Sequence, residues 1–396
     1  MLRHRLLPLS IATFMVCGVM HGAPSVDAAK ADNAFSFALM KHLATGEDNL
    51  IYSPLSLWTG LAMTSAGAEA ETLREMRAAL HLPEDDATAN ALAGDWAKEL
   101  TGLKGVELNV ANRLWGAKGL PFVEDYLKLT ADRYKAGLET LDFKSSANGA
   151  RMRINDWVAQ ETRDRIKDLL QPQNVTADTL LVLTNAVYFK AKWQHPFNGD
   201  NTRDWDFKLV SGKAVATKTM SQTLHVAYFE NDRLQAVRLP YVGGQTSMIV
   251  VLPTKVDGLK GGAFLDAEGF AEVQQGLKPG VKTVVLLPRF EVSARMSLPE
   301  VLTKLGMKRA FTDRAQFGRM CHDPLKISEV IHQAWVKVGE EGTEAAAATA
   351  VSMVAGSARR VEEPPKVFQA DHPFLFFIVD DRNGGVLFAG RVMDPR

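Results

Sequence analysis

Cysteine is scarce, with two in 396 residues. Cys17 falls within an N-terminal apolar run and Cys321 is left alone, so no disulfide framework stabilises the fold, and no Cys/His cluster has zinc spacing. An excess of charge of one sign is missing as well. Lys+Arg and Asp+Glu number 46 each, which removes the electrostatic footprint of a nucleic-acid binder, and basic clusters interleaved with aromatics are not found. The chain also lacks a Pro/Gly/Ser-rich linker, a charge block, or a repeat of about 20–50 residues at which to divide it. One large domain is expected, and 46% hydrophobic residues suffice for a sizeable core.

Chemical motifs are equally sparse. Nine histidines are present, but there is no His-Glu-x-x-His pair, no Gly-x-Ser-x-Gly elbow and no phosphate-cradling Gly-rich loop. A triad dispersed along the sequence would leave no such trace. No catalytic residue, metal ligand or cofactor is assigned, an enzyme is not expected, and His195 and His225 read as ordinary surface or core groups.

The N-terminus carries a clear pattern. Arg3 and Arg5 precede the apolar run from Leu6 to Met20, and Val26-Asp27-Ala28 forms a small-x-small site. Residues 1–28 therefore read as a signal peptide, with the mature chain starting near Ala29 and secretion to a periplasm or the cell exterior. The run is shorter than the ~20 apolar residues a spanning helix needs and is broken by Pro8, so no membrane anchor is expected.

Periodicity supplies the elements. Residues 31–45 and 150–169 predict amphipathic helices, Phe35, Leu39 and Leu43 repeating at helical spacing on the core face of the first and Ile154, Trp157 or Val158, and Ile166 on that of the second. Leu180–Tyr188, Ser247–Leu252 and Val284–Leu287 predict buried strands, as does the series Ile327, Val330, Ala334, Val336, Val338. Phe374–Val379 and Val386–Val392 flank Asn383-Gly384, a hairpin signal. Helices dominate the first half and strands the second, which predicts an α+β fold. One stretch suits neither element: in "EEGTEAAAATAV", residues 340–351, Ala favours helix and disfavours strand, yet Gly and Thr interrupt the helix.

The segments "NLIYSPLSL" (49–57), "NAVYFKAKW" (185–193), "LLPRFEV" (286–292), "EEGTEAAAATA" (340–350) and "DHPFLFFI" (371–378), in this order and spacing, resemble the serpin family of loop-inserting protease inhibitors, from about Ala34 to Pro395. The resemblance implies a single domain over residues 29–396, with a large central mixed sheet, further sheets, surrounding helices and an exposed reactive loop at about 340–365. It implies a monomeric inhibitor of serine, or alternatively cysteine, proteases that acts as a suicide substrate. A non-inhibitory binding or chaperone-like member is the alternative.

Carried onto this sequence, the hinge comprises Glu340, Glu341, Gly342, Thr343, Glu344, Ala345, Ala346, Ala347 and Ala348. After cleavage it would enter the sheet with Thr343, Ala345, Ala347 and Thr349 on the hydrophobic underside and Glu344, Ala346, Ala348 and Ala350 outward, Glu344 in solvent. Ser53, Ser56, Asn185 and His332 resemble the cluster beneath the point where the sheet opens, and Glu340 with Arg289 a pair where the loop enters. Trp193 and Phe197 read as core packing. Family spacing puts the reactive bond at Gly356-Ser357, suiting an elastase- or subtilisin-like target, with Arg359 or Arg360 as alternatives for a trypsin-like one. Gly339 stands where relatives often carry Asn or Asp, and Ser357–Pro373 is longer than in many of them. Residues 84–104 are not notably basic, so polyanion activation is not implied. Asn174-Val175-Thr176 is a glycosylation sequon if the source cell glycosylates.

Overall fold

A computed structural model describes residues 24–100, 102–134, 137–262, 264–344 and 364–396. Two sheets organise it. The larger runs Leu50–Tyr52, Val386–Val392, Phe374–Asp380, Thr246–Pro253, Leu234–Pro240, Ala214–Glu230, Lys278–Pro288, Lys366–Gln369 in spatial order, with Arg203–Lys208 also paired to Ala214–Glu230. Its strands Thr246–Pro253, Phe374–Asp380 and Val386–Val392 are buried at every residue, as their largely apolar sequences allow.

The central sheet has six strands in the order Phe290–Ser297, Glu329–Gly339, Gly342–Thr343, Leu181–Lys192, Val106–Ala117, Leu138–Leu141. Leu181–Lys192 and Glu329–Gly339 also pair directly and in parallel, from Val182 opposite Glu329 to Tyr188 opposite Trp335. This parallel contact is the seam of the sheet. Alternation sends Leu183, Val187, Phe189, Val330, Ala334 and Val336 into the main core. The other face, including Trp115, Val182, Ala186 and Ile331, packs under the helix Phe143–Glu161 in a smaller core. Arg113 fastens that helix, lying 4.5 Å from the centre of the Trp157 ring and pairing with Glu139 at 2.8 Å.

Under the seam lies the helix Pro54–Ser65, buried throughout; Ser53 caps it by accepting from the Ser56 N–H at 3.3 Å, and Pro54 opens it. Helix Pro24–Leu43 packs beside it and begins before the expected processing point, with Ala28 and Ala29 both buried; residues 1–23 of the expected signal peptide lie outside the described residues.

Two expectations need correction. The helix expected over 150–169 ends at Glu161, because Arg163 (φ 49°) and Asp164 (φ 61°) turn left-handed after Thr162; Ile166 is buried, but from the segment beyond. The C-terminal hairpin is joined by Asp381–Gly385, and of its residues Gly384 alone takes positive φ, at 77°, so it is not a two-residue turn.

Candidate functional site

At mid-seam the two strands are tied by side chains. His332 and Asn185 face each other in register, and His332 Nδ1 meets Asn185 Oδ1. The Ser53 N–H donates to His332 Nε2 at 3.0 Å, so Nε2 is the acceptor and the proton sits on Nδ1, where it donates to Asn185. Asn185 Nδ2 in turn donates to Ser56 Oγ at 2.6 Å, and Ser53 Oγ donates to the Leu387 carbonyl at 2.7 Å. The four residues expected as a cluster thus share one buried network that binds both seam strands to the helix beneath.

Asn112, which sequence reasoning missed, closes that network. It stands opposite Asn185 on the next strand, accepts from Ser56 Oγ at 3.1 Å and donates to the Ser56 carbonyl and Thr59 Oγ1 at 2.9 and 3.1 Å. Burial pulls the His332 pKa down to about 3, so the ring is neutral.

At the top of the seam the strands part and Gly342–Thr343 lies between them, antiparallel to both: Thr343 is opposite Val338 on one side and Ala191 on the other. Gly342 has φ 146°, and a Cβ there would lie 2.2 Å from the Ala191 carbonyl oxygen, so only glycine fits. Thr343 is fully buried, its hydroxyl 2.7 Å from that of Tyr241.

Trp193 and Phe197 are buried as expected, but they also hold the turn that precedes this short strand. Trp193 donates from its backbone to the Glu341 carbonyl and from Nε1 to the Gly339 carbonyl, both at 2.9 Å, while Phe197 N–H donates to the Glu340 carbonyl at 2.9 Å. Trp193 stacks on Tyr241 with centroids 4.5 Å apart. Glu340 accepts from Arg289 Nε at 2.7 Å and Thr202 Oγ1 at 2.5 Å. Burial pushes its carboxyl up, but these hydrogen bonds outweigh burial and leave it below the usual carboxylate range.

Glu344 departs from expectation. It lies on the face opposite Thr343, as alternation requires, yet its side chain is only 10% exposed, because Arg165 pairs with it. Arg165 also sits 5.6 Å above Trp335, and Trp335 stacks on Tyr188 across the seam at 6.3 Å. The strand ends at Thr343, and the next residue, Glu344, takes left-handed backbone with φ 50°. Ala345–Ala348, Thr349 and Ala350, and the expected bonds at Gly356-Ser357, Arg359 and Arg360, lie outside the described residues. The sequon residue Asn174 is engaged at both amide atoms: Oδ1 accepts from the Gln171 N–H at 2.8 Å and Nδ2 donates to Glu329 at 3.1 Å.

The site is a mixed sheet with a parallel seam, a two-residue strand seated between the seam strands at its top and a buried polar network at its middle. Residues 30–395 match the family described as Serpin (serine protease inhibitor). The chain belongs to the serpin family, which in general comprises protease inhibitors. It is 39% identical over 371 residues to an uncharacterized serpin-like protein of Thermococcus kodakarensis, covering 92% of this chain and 85% of that one. Serpin B6 of Macaca fascicularis is 37% identical, with coverage of 93% and 99%. The structure of human thyroxine-binding globulin superposes with a TM-score of 0.85 at 25% identity, covering 94% of this chain and 100% of that one.

The neutral His332 generates a prediction. Its folded pKa of about 3 lies below the ordinary 6.5, so between these values the unfolded chain binds one more proton and stability falls with acidification. The slope approaches ~1.4 kcal/mol per pH unit. Denaturant midpoints measured at pH 7 and pH 5 should show wild type losing ~2 kcal/mol more than His332→Gln; equal losses would mean that His332 is not neutral in the fold. His332→Ala, which strands the Ser53 N–H and the Asn185 carbonyl, should be destabilised at both pH values and polymerise on mild heating.

Proposed function

We propose that this protein is a secreted serpin that inhibits serine, or alternatively cysteine, proteases as a suicide substrate, trapping them by insertion of its reactive loop into the seam. The observation that carries this reading is Gly342–Thr343, seated antiparallel between Glu329–Gly339 and Leu181–Lys192. If that register continued on insertion, Ala345 would lie between Phe189 and Val336, Ala347 between Val187 and Ala334, and Thr349 between Asn185 and His332. A hydroxyl would then arrive where the polar network must open. Outward residues Ala348 and Ala350 would pass beneath the helix Phe143–Glu161, among Ala186 and Ile331, so both faces of the inserting strand need small side chains.

The energetics follow from strand pairing. Insertion breaks the parallel ladder of the seam and replaces it with two antiparallel ladders, a net gain of roughly one ladder. At about 1 kcal/mol per bond over about ten residues, the gain is on the order of 10 kcal/mol, comparable to whole-domain stability. In the acyl step the protease nucleophile attacks the Gly356 carbonyl, the peptide bond to Ser357 breaks, and the Ser357 amine leaves with a proton. The ester, or thioester for a cysteine protease, then ties the enzyme to a strand that travels ~45–50 Å as it inserts.

The same continued register would bring Ser352 opposite Val182, at the lower end of the seam, and would leave residues 353–356 as the tether to Gly356 and a longer one to Arg359 or Arg360. The short tether favours Gly356, and Val354-Ala355-Gly356 suits the shallow pocket of an elastase- or subtilisin-like protease. A binding role, suggested by the name of thyroxine-binding globulin, is the second outcome of the tests.

Thr343→Arg should convert inhibitor to substrate, because a guanidinium on the buried face has no partner in the core. The stoichiometry of inhibition should rise several-fold, and detergent-resistant complexes at wild-type stoichiometry would refute the insertion path. Nicking the loop should raise the melting temperature by tens of degrees; an unchanged melting curve favours the binding role. Mass spectrometry of the C-terminal peptide released from a trapped complex should find Ser357 first, whereas a fragment starting at Arg360 or Val361 assigns the bond to Arg359 or Arg360 and a trypsin-like target.

A further inference from the structure

We propose that Asp32 is the counter-charge for the α-ammonium group created by cutting the chain between Ala28 and Ala29, so that removal of the leader completes a buried ion pair at the start of the first helix. This rests on the export reading above. Asp32 is fully buried, and neither carboxylate oxygen has a hydrogen-bond partner among the described residues. Its polar neighbours satisfy one another instead: Tyr52 OH donates to the Ser36 carbonyl at 2.9 Å and lies 3.3 Å from Ser36 Oγ. Tyr52 is also the titratable group whose ionisation Asp32 opposes, and Lys30, the nearest cation along the chain, is exposed. A buried carboxyl without donor or cation is costly, and burial holds its pKa well above the usual value.

The position of Asp32 along the helix supplies the missing partner. In the helix Pro24–Leu43 it is an interior residue, where the backbone N–H groups around it are consumed by the preceding turn. With Ala29 first, Asp32 stands three residues on, the spacing from which an acidic side chain reaches back to the leading amine. Helical side chains tilt toward the N-terminus, which aims the carboxylate that way. The same cut frees the N–H groups of the first turn and places the carboxylate at the positive end of the helix dipole. Ala28, Ala29 and Ala31 are all buried beside it, so the new terminus forms in an environment where the pair is poorly screened.

The test uses the full chain, produced with its leader in an exporting host. N-terminal sequencing of the exported protein should find Ala29 first. Its α-amine should be acetylated by acetic anhydride at pH 8 at least tenfold more slowly than that of exported Asp32→Asn, and acetylation should lower the melting temperature of the wild type while leaving Asp32→Asn unchanged. Ala29 first, with equal acetylation rates and additive effects on melting, overturns the pair alone. A different first residue overturns both the cleavage point and the pair. If Asp32→Asn does not accumulate, the pH midpoint of acetylation in the wild type decides: above about 9 it supports the pair, and near the ordinary value of about 8 it overturns it.

Discussion

Everything distinctive in this fold depends on one contact, the parallel pairing of Leu181–Lys192 with Glu329–Gly339. Parallel neighbours are never joined by a tight turn, and these two are separated by most of the larger sheet's sequence, so no hairpin holds them together. They can part without unthreading the chain. What prevents this is local: the His332–Asn185 bond at mid-seam, the helix Phe143–Glu161 across one face and the helix Pro54–Ser65 below the other. A buried polar network is suited to such a place, because it is strong while every member is satisfied and fails together when one partner is withdrawn.

The upper end of the seam shows how a short strand is fitted between two others. Gly342 permits an approach to the Ala191 carbonyl that any side chain would forbid, and Thr343 enters the core with its hydroxyl matched to Tyr241. The next residue, the left-handed Glu344, is held by Arg165 and ends the extended backbone. Under the insertion proposed above, poor strand propensity in the alanines that follow suits a segment that must be stable in two environments rather than optimal in one.

Much of this was legible in the sequence. The apolar runs at 180–188, 247–252 and 374–379 read as strands because both their faces are buried, and the resemblance grouped Ser53, Ser56, Asn185 and His332. The misses share a physical origin. Asn112, Tyr241 and Arg165 act through partners that lie far away in sequence and belong to no local pattern. Glu344 was read as solvated because alternation fixes a face but says nothing of what covers it. The helix expected to reach residue 169 stops at 161 because Arg163 and Asp164 adopt left-handed backbone, for which neither residue type gives a strong signal.

The Tyr188–Trp335 stack has a consequence of its own. Its two rings belong to the two seam strands, face to face at 6.3 Å, with the Arg165 cation above the indole. A strand placed between them would separate their backbones to about two strand spacings, ~10 Å, beyond stacking contact. The indole would lose its aromatic neighbour in the same step that closes the sheet around the loop. Under the insertion proposed above, the stack is an intrinsic optical reporter of whether the seam is empty or filled, written in near-ultraviolet absorption and emission with no label attached.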